Sequence, residues 1–343
     1  MRTRTVAQRA QKRVDTSAKQ QQDAGEGIPL VECRYKSVFF IVFSGKNICL
    51  GQHYFCLFGR SIKPLKHKER SIMSIHDPGP AFRALHQPGN PFILANAWDQ
   101  GSAKMLAACG AQAIGTSSGA HAFTLGRPDQ GTLTRDEALS HAADLVAATP
   151  LPVSGDFENG FGEAPETCAE TVRLACEAGL AGVSIEDTAL PGQDAYDFDL
   201  SVERIRAAVA AARALPRDFV LVARADGILT GHYDIEEALK RLKAYEAAGA
   251  DCLYAPIPNS MADLRRICAE IQAPVNALAA GPYTKVSQGE FAETGVARIS
   301  LGAALARVTH QAILDAAQPM FQTGDFSQLS KALPAAKTDK MLS

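Results

Sequence analysis

The chain has 343 residues, is 46% hydrophobic and carries a formal net charge of −2, which excludes a disordered polymer and leaves room for one large domain or two ordinary ones. Its longest uninterrupted apolar run, Val38 to Phe43, is far short of the roughly 20 residues that cross a bilayer, so a soluble protein with no membrane partner is expected. Eight cysteines, at 33, 49, 56, 109, 168, 176, 252 and 268, include no CxxC pair, which argues against a structural zinc site or a disulfide framework and points to the reducing cytoplasm.

Charge divides the chain in two. Residues 1–72 hold 14 Lys+Arg against 5 Asp+Glu, leaving 21 against 32 for residues 73–343. Segment 1–25 lacks helical apolar periodicity, and 63–70 is a second basic cluster, so residues 1–72 are expected to be disordered. They read as an extension outside the folded domain or as upstream sequence foreign to it. Neither an RNA-binding motif nor a leader cleavage pattern accompanies the basic residues, so a nucleic-acid partner is not expected. From Met73 the composition becomes that of a globular enzyme, and 73–343 is the predicted catalytic domain.

Within it, short β-rich runs alternate with helical patterns. The predicted strands are 92–96, 112–116, 152–156, 182–186, 219–224, 250–255, 274–278 and 297–301. They are nearly continuous in apolar residues, as parallel strands covered on both faces should be. Between them, Thr134-Arg-Asp-Glu137 reads as a capping box that opens a helix with Leu139, Ala142, Leu145 and Val146 on one face. Pro165 suits a first helical turn. Gly110, Gly179, Gly249 and Gly295 recur where helices should close, because a helix C-cap often takes the left-handed conformation. Eight strand–helix units over about 225 residues match a (β/α)8 barrel of the TIM type, with a C-terminal helical extension. An open doubly wound sheet normally has fewer strands, and the dinucleotide fingerprint is absent.

In such barrels the chemistry sits at the C-terminal ends of the strands. Those ends present Asn96 and Asp99, Thr116-Ser117-Ser118-Gly119, Asp156 and Glu158, Glu186-Asp187, Arg224 and Asp226, and Asn276. Each has a structural explanation when taken alone: Asp99 can cap a helix, Asp187 and Asp226 can satisfy loop amides, and Arg224 can form an ion pair. Together they point to a site. Asp156 and Glu158, one residue apart at a strand end, should face one space, and Gly160 and Gly162 should let the loop turn tightly and leave room for a ligand. Clustered carboxylates raise one another's pKa unless a cation lies between them. Hard oxygen donors without His or Cys indicate Mg²⁺ or Mn²⁺. Residues 116–119 can offer backbone N–H groups and hydroxyls to a substrate carboxylate, and Arg224 can add a bidentate clamp.

These residues, in this order, resemble the isocitrate lyase and phosphoenolpyruvate mutase superfamily. The resemblance runs from about Asn90 to Gln318 through Asn96-Ala-Trp-Asp99, Thr116-Ser-Ser-Gly119, Leu125-Gly-Arg-Pro-Asp129, Asp156-Phe-Glu-Asn-Gly-Phe-Gly162, Ile185-Glu-Asp187 and Ala223-Arg224. It implies a Mg²⁺-dependent barrel, usually a homotetramer with an exchanged C-terminal helix, that forms an enolate from a small α-keto or 2-hydroxy carboxylate. By motif position, Asp156 would contact the metal directly or through water, with Asp129, Glu158 and Glu186 holding its water shell. Ser117, Ser118 and Gly119, beside Thr116, would bind the substrate carboxylate, and Arg224 the substrate or its enolate oxygen.

The chain departs from the family after the fourth strand. Where the lyases carry Lys-(Lys/Arg)-Cys-Gly-His, residues 186–197 contain no Lys, Cys or His. The phosphonomutase loop lysine is absent too, its place taken by Gly192, and Ala255-Pro256 stand where relatives have Glu or His. Tyr196 and His232 are therefore the candidate catalytic acid or base, with Asp194 and Tyr233 as further candidates. The expected function is a carbon–carbon lyase or decarboxylase. The alternatives are a phosphonomutase or phosphonate hydrolase, or a non-catalytic carboxylate-binding barrel.

Overall fold

The computed structural model describes residues 77–192 and 194–343; the basic segment 1–72 lies outside them. Eight parallel strands close into a barrel: β1 (Phe92–Asn96), β2 (Ala113–Gly115), β3 (Val153–Asp156), β4 (Gly182–Glu186), β7 (Val220–Arg224), β8 (Cys252–Tyr254), β9 (Val275–Leu278) and β10 (Arg298–Ser300). Each coincides with a predicted strand to within two residues at either end. The two remaining strands, β5 (Thr188–Ala189) and β6 (Asp194–Ala195), form a small antiparallel hairpin in the loop that follows β4.

The apolar character of the strands has two destinations. Alternate residues such as Ile114, Val153, Val183, Ile185, Leu221, Leu253, Val275 and Ile299 face outward into the layer shared with the helices. Phe92, Leu94, Ala113, Val220, Val222, Cys252 and Tyr254 form a second cluster inside the barrel, joined by Phe82 from helix α1 (Gly79–Ala84). Phe92 and Val220 begin their strands, so Phe82 closes the N-terminal end of the barrel.

The helices begin and end where local chemistry requires. Helix α2 (Gln100–Ala108) starts at Asp99, whose side chain accepts from Ser102 N at 2.6 Å, so Asp99 has the capping role. Helix α3 (Ser118–Thr124) starts at the Ser117 cap. Helix α4 (Arg135–Ala148) carries the predicted Thr134–Glu137 capping box, and α5 (Pro165–Glu177) has Pro165 at its first position. Gly110, Gly179, Gly249 and Gly295 all have φ between +93° and +98°, the left-handed conformation that a residue with a Cβ rarely adopts.

Helices α6 (Phe198–Arg213), α7 (Gly227–Thr230), α8 (Ile235–Ala248), α9 (Met261–Glu270) and α10 (Gln288–Glu293) complete the outer layer, and α11 (Ala304–Thr323) and α12 (Ala335–Leu342) form the C-terminal extension. Among the described residues no helix is long and apolar enough to cross a membrane, and the five described cysteines are free.

Candidate active site

A cavity of about 190 Å³ opens at the C-terminal ends of the strands. Its walls include Asn96, Thr116, Ser117, Ser118, Asp129, Asp156, Glu158, Glu186, Arg224 and Asp226, so the polar residues of five strand ends converge as the topology predicted, while Asn276 is not among the lining residues. Gly119 stands directly behind the wall: a Cβ on it would lie 2.4 Å from Asp129 Oδ2, so only glycine leaves the Asp129 carboxylate its place.

Arg224, the last residue of β7, organises the centre. Its Nη1 donates to Asp156 Oδ1 at 2.8 Å, and its Nε and Nη2 grip Asp226 through both oxygens at 2.9 and 2.6 Å. Glu186 Oε2 lies 3.1 Å from Nη2, a position set by the register that places Glu186 opposite Arg224. Burial opposes the guanidinium charge, but Asp226, Glu186 and Asp156 outweigh it and hold the Arg224 pKa well above its ordinary value. The ring of Tyr254, on the neighbouring strand, lies 5.2 Å from the guanidinium carbon.

The carboxylates themselves are crowded. Burial pushes Asp129 up, and Asp156 adds to the effect. Burial raises Glu158 to about 7, with Asp156 and Asp129 contributing, and it pushes Glu186 well above the carboxylate range although Arg224 pulls the other way. Among the described residues no three His, Cys, Asp or Glu side chains form a ready-made coordination sphere. The four acids expected around a cation, Asp129, Asp156, Glu158 and Glu186, all stand on one cavity.

The raised pKa of Glu158 has a consequence for stability. Its folded-state value lies above its unfolded value, so the native state keeps the proton more tightly and loses stability as pH rises from about 4.5 to about 7. In chelator-treated protein, Glu158→Gln is expected to reduce the difference in melting temperature between about pH 5 and about pH 8. An unchanged difference would remove Glu158 as its source.

The loop after β3 is built differently from the expectation. Strand β3 ends at Asp156, and Glu158 reaches the cavity from a left-handed backbone, φ +45°, an uncommon conformation for a side-chain-bearing residue and one concentrated at functional sites. Phe157 between them is fully buried in the outer core. Glu158 Oε1 accepts from Gly131 N at 3.0 Å. The glycines of this loop do not make space for a ligand of the main cavity: a Cβ on Gly160 would meet Cys168 Sγ at 3.0 Å and one on Gly162 would meet Thr167 at 2.7 Å. They allow the loop to lie on the start of α5.

The 116–119 turn is partly occupied by the protein. Ser118 donates to Asp156 Oδ2 through both its N–H and its hydroxyl, each at 3.0 Å, and Asp156 N donates to Thr116 Oγ1 at 2.7 Å. Asn96 Nδ2 donates to Thr116 O, and its Oδ1 accepts from Leu301 N and Gly302 N, tying the first strand end to the last.

The four candidates for a missing acid or base stand outside this cavity. Tyr196 lies in a separate cleft between the 131–136 loop and the β5–β6 hairpin, its hydroxyl accepting from Asn159 Nδ2 at 3.0 Å and its ring 4.2 Å from the Arg204 guanidinium carbon. His232 faces the exposed Asp194, Nε2 to Oδ1 3.4 Å. Tyr233 donates to Asp187 Oδ2 at 2.8 Å. Loop polarity alone put these residues forward, and the β5–β6 hairpin and the turn after α7 carry them away from the centre.

Asp187 has the amide-satisfying role: it accepts from Asp226 N at 2.7 Å, and from Arg241 Nη1, Tyr233 and Tyr245. It thereby fixes Asp226, which in turn fixes Arg224. Sequence reasoning did not single out Tyr254, Ser184, Ser300 and Arg298, which also line the cavity. Their signal was the inward parity of their strands, shared with Arg224 and Asp156.

Comparison with known proteins agrees with this architecture. Residues 82–321 match the family model for phosphoenolpyruvate phosphomutase. A Burkholderia cenocepacia J2315 crystal structure, provisionally assigned as a lyase/mutase, is 46% identical with a TM-score of 0.74, covering 78% of this chain and 95% of that one. The 2-methylisocitrate lyase of Salmonella typhimurium is 36% identical over 59% of this chain and 70% of its own length. The oxaloacetate decarboxylase of Ectopseudomonas mendocina is 32% identical over 59% and 70%. With the family match covering more than half of its length, the chain belongs to the phosphoenolpyruvate phosphomutase family of the isocitrate lyase/phosphoenolpyruvate mutase superfamily.

Proposed function

We propose that the protein is a divalent-metal-dependent lyase that cleaves a carbon–carbon bond, or decarboxylates, in a small α-keto or 2-hydroxy carboxylate through an enolate. The observation that carries this reading is the Arg224 centre: a guanidinium on the cavity wall, held by Asp156, Glu186 and Asp226 beside the 116–119 turn. The activities of the lyase and decarboxylase relatives are the second support.

The donor set fits a hard cation. Asp129, Glu158 and Glu186 are all pushed up by burial and like charge, a cost that a cation among them removes. Because no three of them converge as direct ligands, the fit is to an ion that keeps several waters, as Mg²⁺ does. Asp156 would hold it directly or through water, with Asp129, Glu158 and Glu186 on its water shell. When bound, the ion supplies charge stabilisation for a developing enolate oxygen.

The chain's own groups do the rest. Arg224, pre-set by its carboxylates, offers a fixed positive charge toward the cavity and needs no reorganisation as negative charge develops. Ser117, Ser118 and Gly119, at the start of α3, orient the substrate carboxylate. The test is a screen of the protein with Mg²⁺ against oxaloacetate, methylisocitrate and dimethylmalate, following pyruvate release before and after chelation. Metal-reversible release from one of them is expected; no release from any, or release indifferent to chelation, would defeat the reading.

A second reading, carbon–phosphorus chemistry on a phosphonate, is favoured by the family model itself. The segment between β4 and α6 contains no lysine, which speaks against it, and phosphorus NMR with phosphonopyruvate separates the two.

We also propose a homotetramer. Helix α11 exposes Val308, Ile313, Leu314 and Phe321, and Ile93, outward-facing on β1, is 42% exposed, so among the described residues nothing covers this helix face or this strand face of the barrel. A second copy would supply each to the other; a monomer in sedimentation would exclude this.

A further inference from the structure

Below the carboxylates the barrel interior has an unusual filling. Such barrels are usually packed with layers of bulky branched residues. Here the layer beneath the mouth includes Ser154, Ser184 and Ser300, all buried and all lining the cavity. The cavity therefore continues downward as a shaft with hydroxyls on its wall.

Arg298 stands at the foot of this shaft. It is the first residue of β10, is 2% exposed and lines the cavity. Its Nε donates to Asn276 Oδ1 at 2.8 Å, and Asn276 Nδ2 donates to Ser300 Oγ at 2.9 Å, so two neighbouring strands fix the guanidinium plane. Its Nη1 is buried without a hydrogen-bond partner, and among the described residues no carboxylate forms an ion pair with it.

The contrast with Arg224 is instructive. Arg224 has three carboxylates around it; among the described residues Arg298 has no carboxylate within ion-pair distance, and Asp156 acts on it only from farther away. A buried guanidinium does not shed its proton, and the Asn276 bond and the charge of Asp156 offset its desolvation only in part, so an anion or ordered water at Nη1 would complete the compensation. Beside Arg298 the polar groups are the Ser300 hydroxyl and the Asn276 amide, and the acids Asp129, Asp156, Glu158, Glu186 and Asp226 line the same cavity together with the counter-charge of Arg224.

We propose that Arg298 anchors a second carboxylate of the substrate, so that the cavity selects dicarboxylates over monocarboxylates of the same length. The proposal rests on the lyase reading only in assigning the first carboxylate to the 116–119 turn. The planar fork of an arginine suits bidentate carboxylate recognition, which a single ammonium point charge reproduces poorly.

The experiment is calorimetric binding to the full chain in the presence of Mg²⁺, with malate and 2-hydroxybutyrate as probes. The two differ only in a distal carboxylate in place of a methyl group. The parent is expected to bind malate at least about tenfold more tightly, the scale of one charged hydrogen-bonding contact. Arg298→Gln is expected to erase that preference by weakening malate while leaving 2-hydroxybutyrate within about twofold, and Arg298→Lys to retain part of it.

An equal ratio in the parent and Arg298→Gln would overturn the proposal and leave Arg298 as a water-bonded or counter-charge residue. Absence of a malate preference in the parent would overturn it without any variant, so the test survives a variant that fails to fold. Binding rather than turnover is read: if the lyase reading fails, pyruvate is not released while the selectivity persists. If the Arg298 proposal fails, pyruvate is released while the preference is missing.

Discussion

Asp156→Ala is expected to abolish metal-dependent turnover, a loss on the order of a thousandfold or more, because it removes the one carboxylate shared by the proposed cation site, Arg224 and the 116–119 turn. In the intact site Asp156 Oδ1 accepts from Arg224 Nη1, and its Oδ2 accepts both Ser118 donors. The alanine variant should still fold. Arg224 keeps Glu186 and a two-point grip on Asp226, and the Ser118 groups face the cavity, where water can reach them. Metal titration calorimetry and turnover should fall together while the melting temperature changes little. Unchanged metal binding and activity would defeat the assignment of Asp156.

The largest effect on stability is expected from Asp187→Ala, about 3–5 kcal/mol, the cost of stripping one partner from a buried ion pair. Asp187 and Arg241 are 2% and 6% exposed in their side chains and meet at 2.9 Å. Among the described residues, removing the carboxylate leaves Arg241 with only Glu237 as an ionic partner, and leaves the Tyr233 and Tyr245 hydroxyls and the Asp226 N–H without their shared acceptor. Asp187→Asn, which keeps an acceptor but not the charge, should lose less. Urea unfolding measures both, and a loss below about 1 kcal/mol for the alanine variant would show that the network is worth no more than an exposed pair. Turnover should also fall, since Asp226 and through it Arg224 would lose their support.

Much of the fold was legible because its signals are local. Strand runs such as 220–223 are apolar along both faces, Thr134–Glu137 caps a helix through residues three apart, and Gly249 closes one through a backbone angle of its own. The candidate site was legible where a side chain sits at a strand end and the barrel topology points it inward, as at Asp156, Glu186 and Arg224. Loop residues were not: Tyr196, His232 and Tyr233 looked available by polarity, and the path of the chain placed them in other surroundings.

The sequence by itself therefore determined the barrel, its family and the ring of acids around Arg224, because strand periodicity, helix caps and motif order are properties of neighbouring residues. The tertiary structure alone decided which oxygen each donor meets, that Asp187 braces Asp226 through its backbone N–H, and that Arg298 lines the cavity with Nη1 buried and without a hydrogen-bond partner. Those outcomes depend on which strands lie side by side and how deep each side chain is buried. Contacts between residues as far apart as Asp187 and Arg241 carry no local mark in the chain.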